Sequence, residues 1–144
     1  MSTRPDLLLV HGAWHGPWAW DALRPELPAG EVRTVALPSS GPDPDPEAVF
    51  YGDVAPELAA ACADRLTHQS LAALGATLAD AAWRHVPTSY VVCVRDAAIP
   101  APLQEEMAGH AVRVHHLDAS HSPFLSVPAE LAALIEEEVA AFTR

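Results

Sequence analysis

The fold is decided near the start of the chain, by the stretch Leu7-Leu-Leu-Val-His-Gly-Ala-Trp-His-Gly-Pro-Trp-Ala-Trp20. Its first residues form an apolar run that ends at His11-Gly12. An unbroken apolar run closed by a glycine is typical of a strand buried on both faces, as in a parallel sheet. We therefore expect a parallel sheet, with the first chemically interesting groups at the carboxyl end of its first strand.

Outward from this strand, strand and helix patterns alternate along the chain. Further strands are predicted at residues 32–37, 89–95 and 111–117, and helices at 17–27, 56–66, 69–78, 100–107 and 128–142. A strand, a helix and a second strand in this order imply a right-handed crossover and parallel pairing. The proline-rich residues 38–56 predict a loop. We predict one α/β domain over residues 1–144, a reduced three-layer sandwich of about four parallel strands flanked by helices.

The last predicted helix has two unlike faces. One face carries an apolar stripe, formed by Leu131, Leu134, Ile135 and Val139. The acidic run Glu136-Glu137-Glu138 lies opposite and predicts a solvated face. This pattern is typical of a helix that packs against a core on one side only.

The composition excludes several classes of function. The chain of 144 residues has a formal net charge of -11, and all 8 of its Lys and Arg residues are Arg. Schiff-base enzymes and P-loop phosphate binders need a Lys, and nucleic-acid binders need a basic surface, so none of these classes fits. We expect a small-molecule partner and no nucleic acid.

The sequence also predicts where the protein resides. No apolar run approaches the length that spans a bilayer, and residues 1–6 lack the pattern of a secretion signal. We expect a soluble, cytoplasmic protein that does not bind membranes. Cys62 and Cys93 have no CxxC spacing, and they are predicted to be two buried thiols rather than a disulfide or a metal pair.

Four stretches in this order resemble one known family. They are the opening stretch from Leu7 to Trp20, Ala36-Leu-Pro-Ser-Ser-Gly41, Tyr90-Val-Val-Cys-Val-Arg-Asp-Ala-Ala-Ile-Pro100 and Asp118-Ala-Ser-His-Ser-Pro-Phe-Leu-Ser-Val-Pro128. Together they resemble the α/β-hydrolases of the methylesterase and hydroxynitrile-lyase type. In that family the first stretch supplies half of the oxyanion hole, the third carries the catalytic acid, and the fourth carries the catalytic histidine.

The resemblance implies roles for six residues. The backbone N–H of Ala13 would stabilise an oxyanion, within an oxyanion and substrate-binding loop that also includes Gly12, Trp14 and His15. Asp96 would orient the base, and His121 would be the general acid and base. The chemistry agrees, since preorganised N–H groups stabilise developing negative charge, and a carboxylate fixes the tautomer of a histidine that titrates near neutral pH.

The sequence departs from the family at the nucleophile. The family carries its serine in a Gly-x-Ser-x-Gly turn, but the glycines spaced four apart here, Gly12 and Gly16, flank Trp14. The proline-rich loop instead leads to Phe50-Tyr-Gly-Asp53, which resembles the segment that follows this turn. We infer that two core strands are deleted. The remaining strands are expected in the order two, one, three, four, either sealing the gap or leaving apolar edges for another copy, so that a homodimer or higher oligomer is expected.

Three other sets of residues leave alternatives open. Ser39 and Ser40 follow the second strand and are the best replacement nucleophiles, but turn serines that bond local backbone are the simpler interpretation. His115, His116, Asp118 and His121 suggest a metal site, yet His115 and His116 are adjacent on a strand and point to opposite faces, so no metal and no other cofactor is predicted. Trp14, Trp18 and Trp20 fit either a pocket lining or a core.

Three hypotheses for function follow. The first is an enzyme of α/β-hydrolase type that acts on a small ester, lactone or activated carbonyl by water activation or by a lyase, isomerase or cyclisation step. The second is a protein without catalytic activity that binds a small carbonyl ligand or serves as an assembly partner. The third is a fragment that needs a separate piece to complete its fold. Whether the chain is an enzyme is left open by the sequence.

Overall fold

The computed structural model describes residues 6–28, 32–35, 46–67 and 75–143. Within these ranges the chain forms four strands, β1 (Leu7–Val10), β2 (Val32–Val35), β3 (Ser89–Cys93) and β4 (Arg113–Leu117). The helices are α1 (Pro46–Phe50), α2 (Pro56–Ala63), α3 (Ala101–Ala108), α4 (Pro123–Ser126) and α5 (Pro128–Phe142). Strands and helices alternate, which confirms the predicted α/β class. Among the described residues, no helix is long and apolar enough to cross a membrane.

All four strands pair in parallel, but they form two separate sheets. β1 pairs with β2, with Leu7 opposite Val32, and β3 pairs with β4, with Ser89 opposite Arg113. The expected neighbours two–one and three–four are therefore present. The expected pairing of β1 with β3 is wrong for the described part of the chain, because the two sheets share no ladder.

A cavity separates the two strand pairs. It measures about 530 Å³ and is lined by Leu7, the first residue of β1, by Ser89 and Val91 of β3, and by side chains of α5. On β1, Leu8 and Val10 are 61% and 50% exposed, although their apolar character is typical of a buried strand. Within the described residues, β1 and β3 have no second strand partner, which agrees with the outcome in which the deletion leaves strand edges unpaired.

Helix α5 connects the two strand pairs. Leu131 and Ile135 pack with Leu7 and Leu9 of β1 against a buried cluster around Leu23. One helical turn further on, α5 contacts the second sheet through a polar network centred on Glu138. A two-stranded sheet is only marginally stable in water, so each pair needs helices packed against it, and α5 supplies contacts to both pairs.

For Glu138, this network corrects the prediction that the acidic run is a solvated face, whereas the Glu137 side chain is 56% exposed. The Glu138 side chain is 14% exposed and accepts hydrogen bonds from Arg113 Nε at 2.7 Å, from His115 Nε2 at 2.6 Å and from the Ser89 hydroxyl. Burial acts to raise the pKa of Glu138, but the hydrogen bonds from Ser89, Arg113 and His115 and the charge of Arg113 outweigh it and lower that pKa to about 2.

A second cluster of buried residues lies around Phe50. Phe50, Tyr51, Ala59 and Cys62 are buried together with Val54 and Leu125. Both cysteines are free and buried, as predicted, and burial raises the pKa of both thiols, that of Cys93 to about 11. Both thiols are therefore protonated and unreactive at neutral pH.

Several predicted boundaries are wrong, for identifiable reasons. The helix expected at 17–27 is two short 3₁₀ helices, Pro17–Trp20 and Arg24–Glu26, because Pro25 cannot donate within a continuous α-helix. Residues 46–50, predicted as loop, form α1, and Phe50 at its end is buried. Of the helix predicted at 69–78, residues 75–78 are not helical and 69–74 lie outside the described residues, as do 36–45.

The network predicts that Glu138→Gln destabilises the fold by about 1–2 kcal/mol, since it removes a charged acceptor of several hydrogen bonds. The pKa of Glu138 is depressed, so its contribution is present above the usual value of 4.5 and is lost as the pH falls towards about 2. Urea unfolding of both proteins from pH 7 to pH 2 measures this. The control is Glu137→Gln, whose side chain is 56% exposed and which should cost less than about 0.5 kcal/mol. Equal losses for the two variants would contradict the assignment.

The open strand edges predict self-association. We expect sedimentation velocity at micromolar concentration to give a dimer or a larger species, because unpaired apolar edges recruit further strands. Leu8→Lys, at a side chain that is 61% exposed, should shift the population towards monomer. A monomer for the unmodified chain would count against this prediction.

Candidate active site

The structure brings Asp96 and His121 together just beyond the carboxyl ends of two adjacent strands. Asp96 follows β3 and His121 follows β4, and His121 Nδ1 lies 3.0 Å from Asp96 Oδ2 and 3.2 Å from Asp96 Oδ1. The Asp96 side chain is 5% exposed and that of His121 is 26% exposed. A carboxylate is an acceptor only, so it fixes the proton on Nδ1 and leaves Nε2 as the basic nitrogen of the neutral ring.

Asp96 is itself held by a turn and a helix. The N–H groups of Ala98 and Ile99 donate to its Oδ1 at 2.7 and 2.9 Å, and Gln104 Nε2 lies 3.2 Å from its Oδ2. Each carboxylate oxygen thus has a donor besides the imidazole, which restricts the rotation of the side chain. These N–H bonds belong to the turn before α3, and Asp96 is not the cap of that helix, whose N-cap residue is Pro100.

Gln104 is a site residue that the sequence analysis missed. It lies on the inner face of α3, is 3% exposed, and exchanges hydrogen bonds with the backbone of Cys93, where Oε1 accepts from N–H at 2.9 Å and Nε2 lies 3.1 Å from the carbonyl. Its Nε2 also donates to the Ile99 carbonyl at 2.6 Å. The signal in the sequence was the helical spacing of four residues between Gln104 and Ala108, which places both on one face of α3.

The loop after β1 is locked by its own histidines. His11 Nδ1 donates to the Gly12 carbonyl at 2.9 Å, and His15 Nδ1 donates to the Ala13 carbonyl at 2.9 Å. Trp14 has a φ of 62°, a left-handed conformation that is rare for a large side chain. Such strain persists only where the surroundings enforce it, and it is common at functional sites.

His15 has a structural position within this loop. It is 4% exposed, and the Tyr51 hydroxyl lies 3.0 Å from its Nε2, so both ring nitrogens are engaged. Burial lowers the pKa of His15, and the nearby His121 and His11 lower it further, although the bond to the Ala13 carbonyl acts to raise it. A neutral His15 that donates from Nδ1 and accepts at Nε2 satisfies every one of these contacts.

One cavity joins the loop to His121. It measures about 520 Å³, and His121 and the predicted residues Gly12, Ala13, Trp14 and His15 line it. Asp96 stands behind His121. His11 also lines it, and the remainder of the wall is apolar, made mostly of Trp20, Val49, Phe50, Ile99, Phe124 and small alanines. Of the tryptophans, Trp14 and Trp20 thus line the pocket, whereas Trp18 packs against the core around Phe50.

No side chain among the lining residues carries a hydroxyl or a thiol. Cys62 is buried in the core, and the Ser89 hydroxyl donates to Glu138. Ser39, Ser40 and Ser70 lie outside the described residues. In the described part of the chain, the cavity therefore offers a histidine base without a protein nucleophile.

The four residues considered for a metal do not come together. His115 bonds to Glu138 of α5, whereas His116 lies 2.6 Å from Glu105 of α3, so the two rings do point to opposite sides of the sheet. His115, Glu137 and Glu138 place possible ligand atoms within 4.8 Å of one another, but the guanidinium of Arg113 already pairs with both carboxylates. A cation there would have to displace it.

Gln104 predicts a measurable effect on stability. Gln104→Leu removes the acceptor of the Cys93 N–H and the donor to the Ile99 carbonyl, whereas the Cys93 carbonyl keeps the N–H of Asp96, and we expect a loss of about 2–3 kcal/mol in the free energy of unfolding. Chemical denaturation measures it. The matched control is Glu105→Leu on the same helix, whose side chain is 51% exposed and which should cost less than about 0.5 kcal/mol. If both variants unfold at the same denaturant concentration, the buried amide does not hold the Asp96 turn.

Comparison with known proteins agrees with the geometry. Residues 45–134 match the model of the Alpha/beta hydrolase family. Over 42 residues the chain is 60% identical to the pimeloyl-[acyl-carrier protein] methyl ester esterase of Aromatoleum aromaticum, a match that covers 28% of this chain and only 17% of that esterase.

Solved structures share the fold at low sequence identity. A methylesterase protein from Arabidopsis is 14% identical, with a TM-score of 0.75 over 94% of this chain and 98% of that chain. A pyrethroid hydrolase from Sphingobium faniae is 21% identical, with a TM-score of 0.52 over 94% of this chain and 61% of that chain. The family model matches more than half of this chain, and the parallel strands are flanked by helices. This chain therefore belongs to the α/β-hydrolase family and is related to its esterases.

Proposed function

We propose that the chain is a hydrolase in which His121, oriented by Asp96, activates water against a small carbonyl substrate. One observation carries the proposal: the imidazole that bonds to Asp96 forms part of the wall of the same cavity as the loop from Gly12 to His15. A base and a group of backbone N–H donors on either side of one cavity are the two elements that acyl transfer requires.

The proposed hydrolysis has two steps, addition of water and collapse of the tetrahedral intermediate. Nε2 of His121 takes a proton from a water molecule, whose oxygen forms a bond to the carbonyl carbon. The carbonyl oxygen becomes an oxyanion, which the N–H of Ala13 stabilises. The tetrahedral intermediate collapses as its bond to the alcohol oxygen breaks, and the imidazolium returns the proton to that oxygen. The products are a carboxylic acid and an alcohol, and Asp96 stays charged throughout to stabilise the imidazolium.

The cavity wall supports water rather than a serine as the nucleophile. A covalent acyl intermediate needs a hydroxyl or thiol within reach of the base, and the described lining residues offer none. Water activated by histidine needs no additional side chain. The serine-type route is thereby replaced by a single addition and collapse on the bound substrate.

The wall also indicates the substrate class. Aromatic and aliphatic side chains dominate it, and no Arg is among the lining residues. A cavity of about 520 Å³ accepts a small molecule with an apolar body. We infer an uncharged small ester or lactone, which agrees with the esterase and methylesterase names of the relatives.

A second candidate is binding of a small carbonyl ligand without turnover. The observation that favours it is the same lack of a hydroxyl or thiol along the described cavity wall. Its expected signature differs from that of the hydrolase, because such a protein binds an ester and releases it unchanged.

Turnover of short-chain aryl esters separates the two candidates. We expect His121→Ala to lower kcat/KM by about 100-fold or more, because a general base contributes that much, and Asp96→Asn to act in the same direction. The matched control is His116→Ala, a histidine that bonds to Glu105 on α3 and should leave the rate unchanged. Equal background rates for all four proteins would favour binding without turnover.

Labelling with a fluorophosphonate probe tests the choice of nucleophile. We expect no serine of the unmodified protein to be labelled under conditions that label a control serine hydrolase completely. A single labelled serine, identified by peptide mass, would replace activated water with an ordinary acyl-enzyme route.

A further inference from the structure

We propose that Asp53 is a positioning residue for His121, holding the loop after β4 so that the imidazole stays aimed into the cavity. This inference rests on the proposed function, since it assigns a role to Asp53 in the use of His121 as a base. The geometric part of it, the restraint of the His121 ring, can be tested without any activity.

The contact is made through the residue that precedes the histidine. Asp53 Oδ2 accepts the backbone N–H of Ser120 at 2.8 Å, and its Oδ1 accepts the Ser120 hydroxyl. Ser120 is 3% exposed and the Asp53 side chain is 9% exposed, so water does not compete strongly for these bonds. Both carboxylate oxygens thus hold one residue of the loop, which fixes the peptide that leads into His121.

The electrostatics of the site keep Asp53 charged. Burial acts to raise its pKa, but hydrogen bonds from Ser120 and Ser126 and the charge of Arg95 outweigh it, and the pKa of Asp53 lies below its usual value. A carboxylate that is charged at neutral pH accepts stronger hydrogen bonds than a neutral acid or amide would.

Arg95, the residue next to Asp96, links Asp53 to the loop after β4. Its guanidinium lies 3.4 Å from Asp53 Oδ2 and donates to the carbonyl and the carboxylate of Asp118 at 2.7 Å each. Its backbone N–H donates to the Ala119 carbonyl at 3.0 Å. Arg95 directly precedes Asp96, so the loop of the acid and the loop of the base are fastened to each other beside Asp53.

The segment that contains Asp53 contacts the site at two further points. The Phe50 ring lies 5.3 Å from the His121 ring, centroid to centroid, and the Tyr51 hydroxyl bonds to His15 of the first loop. One short segment therefore touches the histidine, the loop that carries the histidine, and the loop after β1. Within this segment, Asp53 is the residue that holds the loop of the histidine.

The experiment compares Asp53→Asn, Ser120→Ala and their double variant. The matched control is Asp64→Asn, which removes an exposed carboxylate at the end of α2, outside the contacts between Asp53, Arg95 and Ser120. The first readout is the proton NMR signal of the His121 Nδ1–H, identified by its loss in His121→Ala. In the unmodified protein and in Asp64→Asn we expect a sharp, strongly deshielded resonance, and in Asp53→Asn a signal broadened by exchange with water.

The second readout is the ester hydrolysis rate. Misplacement of a catalytic group by about 1 Å costs up to roughly 100-fold in rate, so we expect Asp53→Asn to lower kcat by about 10- to 100-fold with little change in KM. The double variant should be no worse than the more impaired single variant, because both substitutions break the same contact. Circular dichroism checks that each variant is folded.

Each outcome bears on the proposal in a defined way. A sharp Nδ1–H signal in folded Asp53→Asn and Ser120→Ala would overturn it, and so would additive losses of kcat in the double variant. If the unmodified protein hydrolyses no ester, the proposed function fails, but broadening of the NMR signal in Asp53→Asn alone would still support the restraint of His121. Should Asp53→Asn not fold, Ser120→Ala alone decides, since it removes only the hydroxyl.

Discussion

Helix α5 holds together two strand pairs that no hydrogen bond between strands joins. Its apolar residues, Leu131 and Ile135, pack with the side chains of β1, while Glu138 accepts bonds from Ser89 and Arg113 in the second sheet. Two-stranded sheets are marginal on their own, and two separate pairs could drift relative to each other without a common support. The acid and base follow one pair and the first loop follows the other, so the geometry of the cavity depends on this helix together with the segment from Phe50 to Asp53, which contacts both loops.

The cavity has a histidine base and the loop after β1, but its described lining residues include no hydroxyl or thiol nucleophile. Asp96, Gln104 and the turn after β3 hold His121 in a defined tautomer, and the first loop faces it across an apolar space. Within the described residues, β1 and β3 pair only with β2 and β4, on one side each. The acid and base lie at the carboxyl ends of one pair and the first loop at the carboxyl end of the other, so different strand ends of parallel sheets position the two sides of the cavity. Water activation is the chemistry that we propose for this arrangement.

Short-range patterns explain which elements were predictable. The parallel α/β architecture was predicted from apolar runs that alternate with residues at helical spacing. That His115 and His116 point to opposite faces of the sheet was predicted from the two-residue period of a strand. The 3₁₀ turns around Pro25 and helix α1 were missed, since one depends on a proline within an otherwise helical pattern and the other on a core that the proline-rich sequence does not suggest. Glu138 was misplaced for a related reason: its inward turn is stabilised by partners on two distant strands.

By itself, the sequence determined the α/β class, the family resemblance, the acid and the histidine, and the lack of a Gly-x-Ser-x-Gly turn, because each is written in contiguous residues. Only the tertiary structure decided that β1 and β3 do not pair and that Gln104 contacts Asp96. It also decided that Asp53 accepts a hydrogen bond from Ser120, 67 residues further along the chain. These contacts join residues with no shared periodicity or motif. Their free energy comes from burying polar groups in matched pairs, and that matching exists only once the chain has folded.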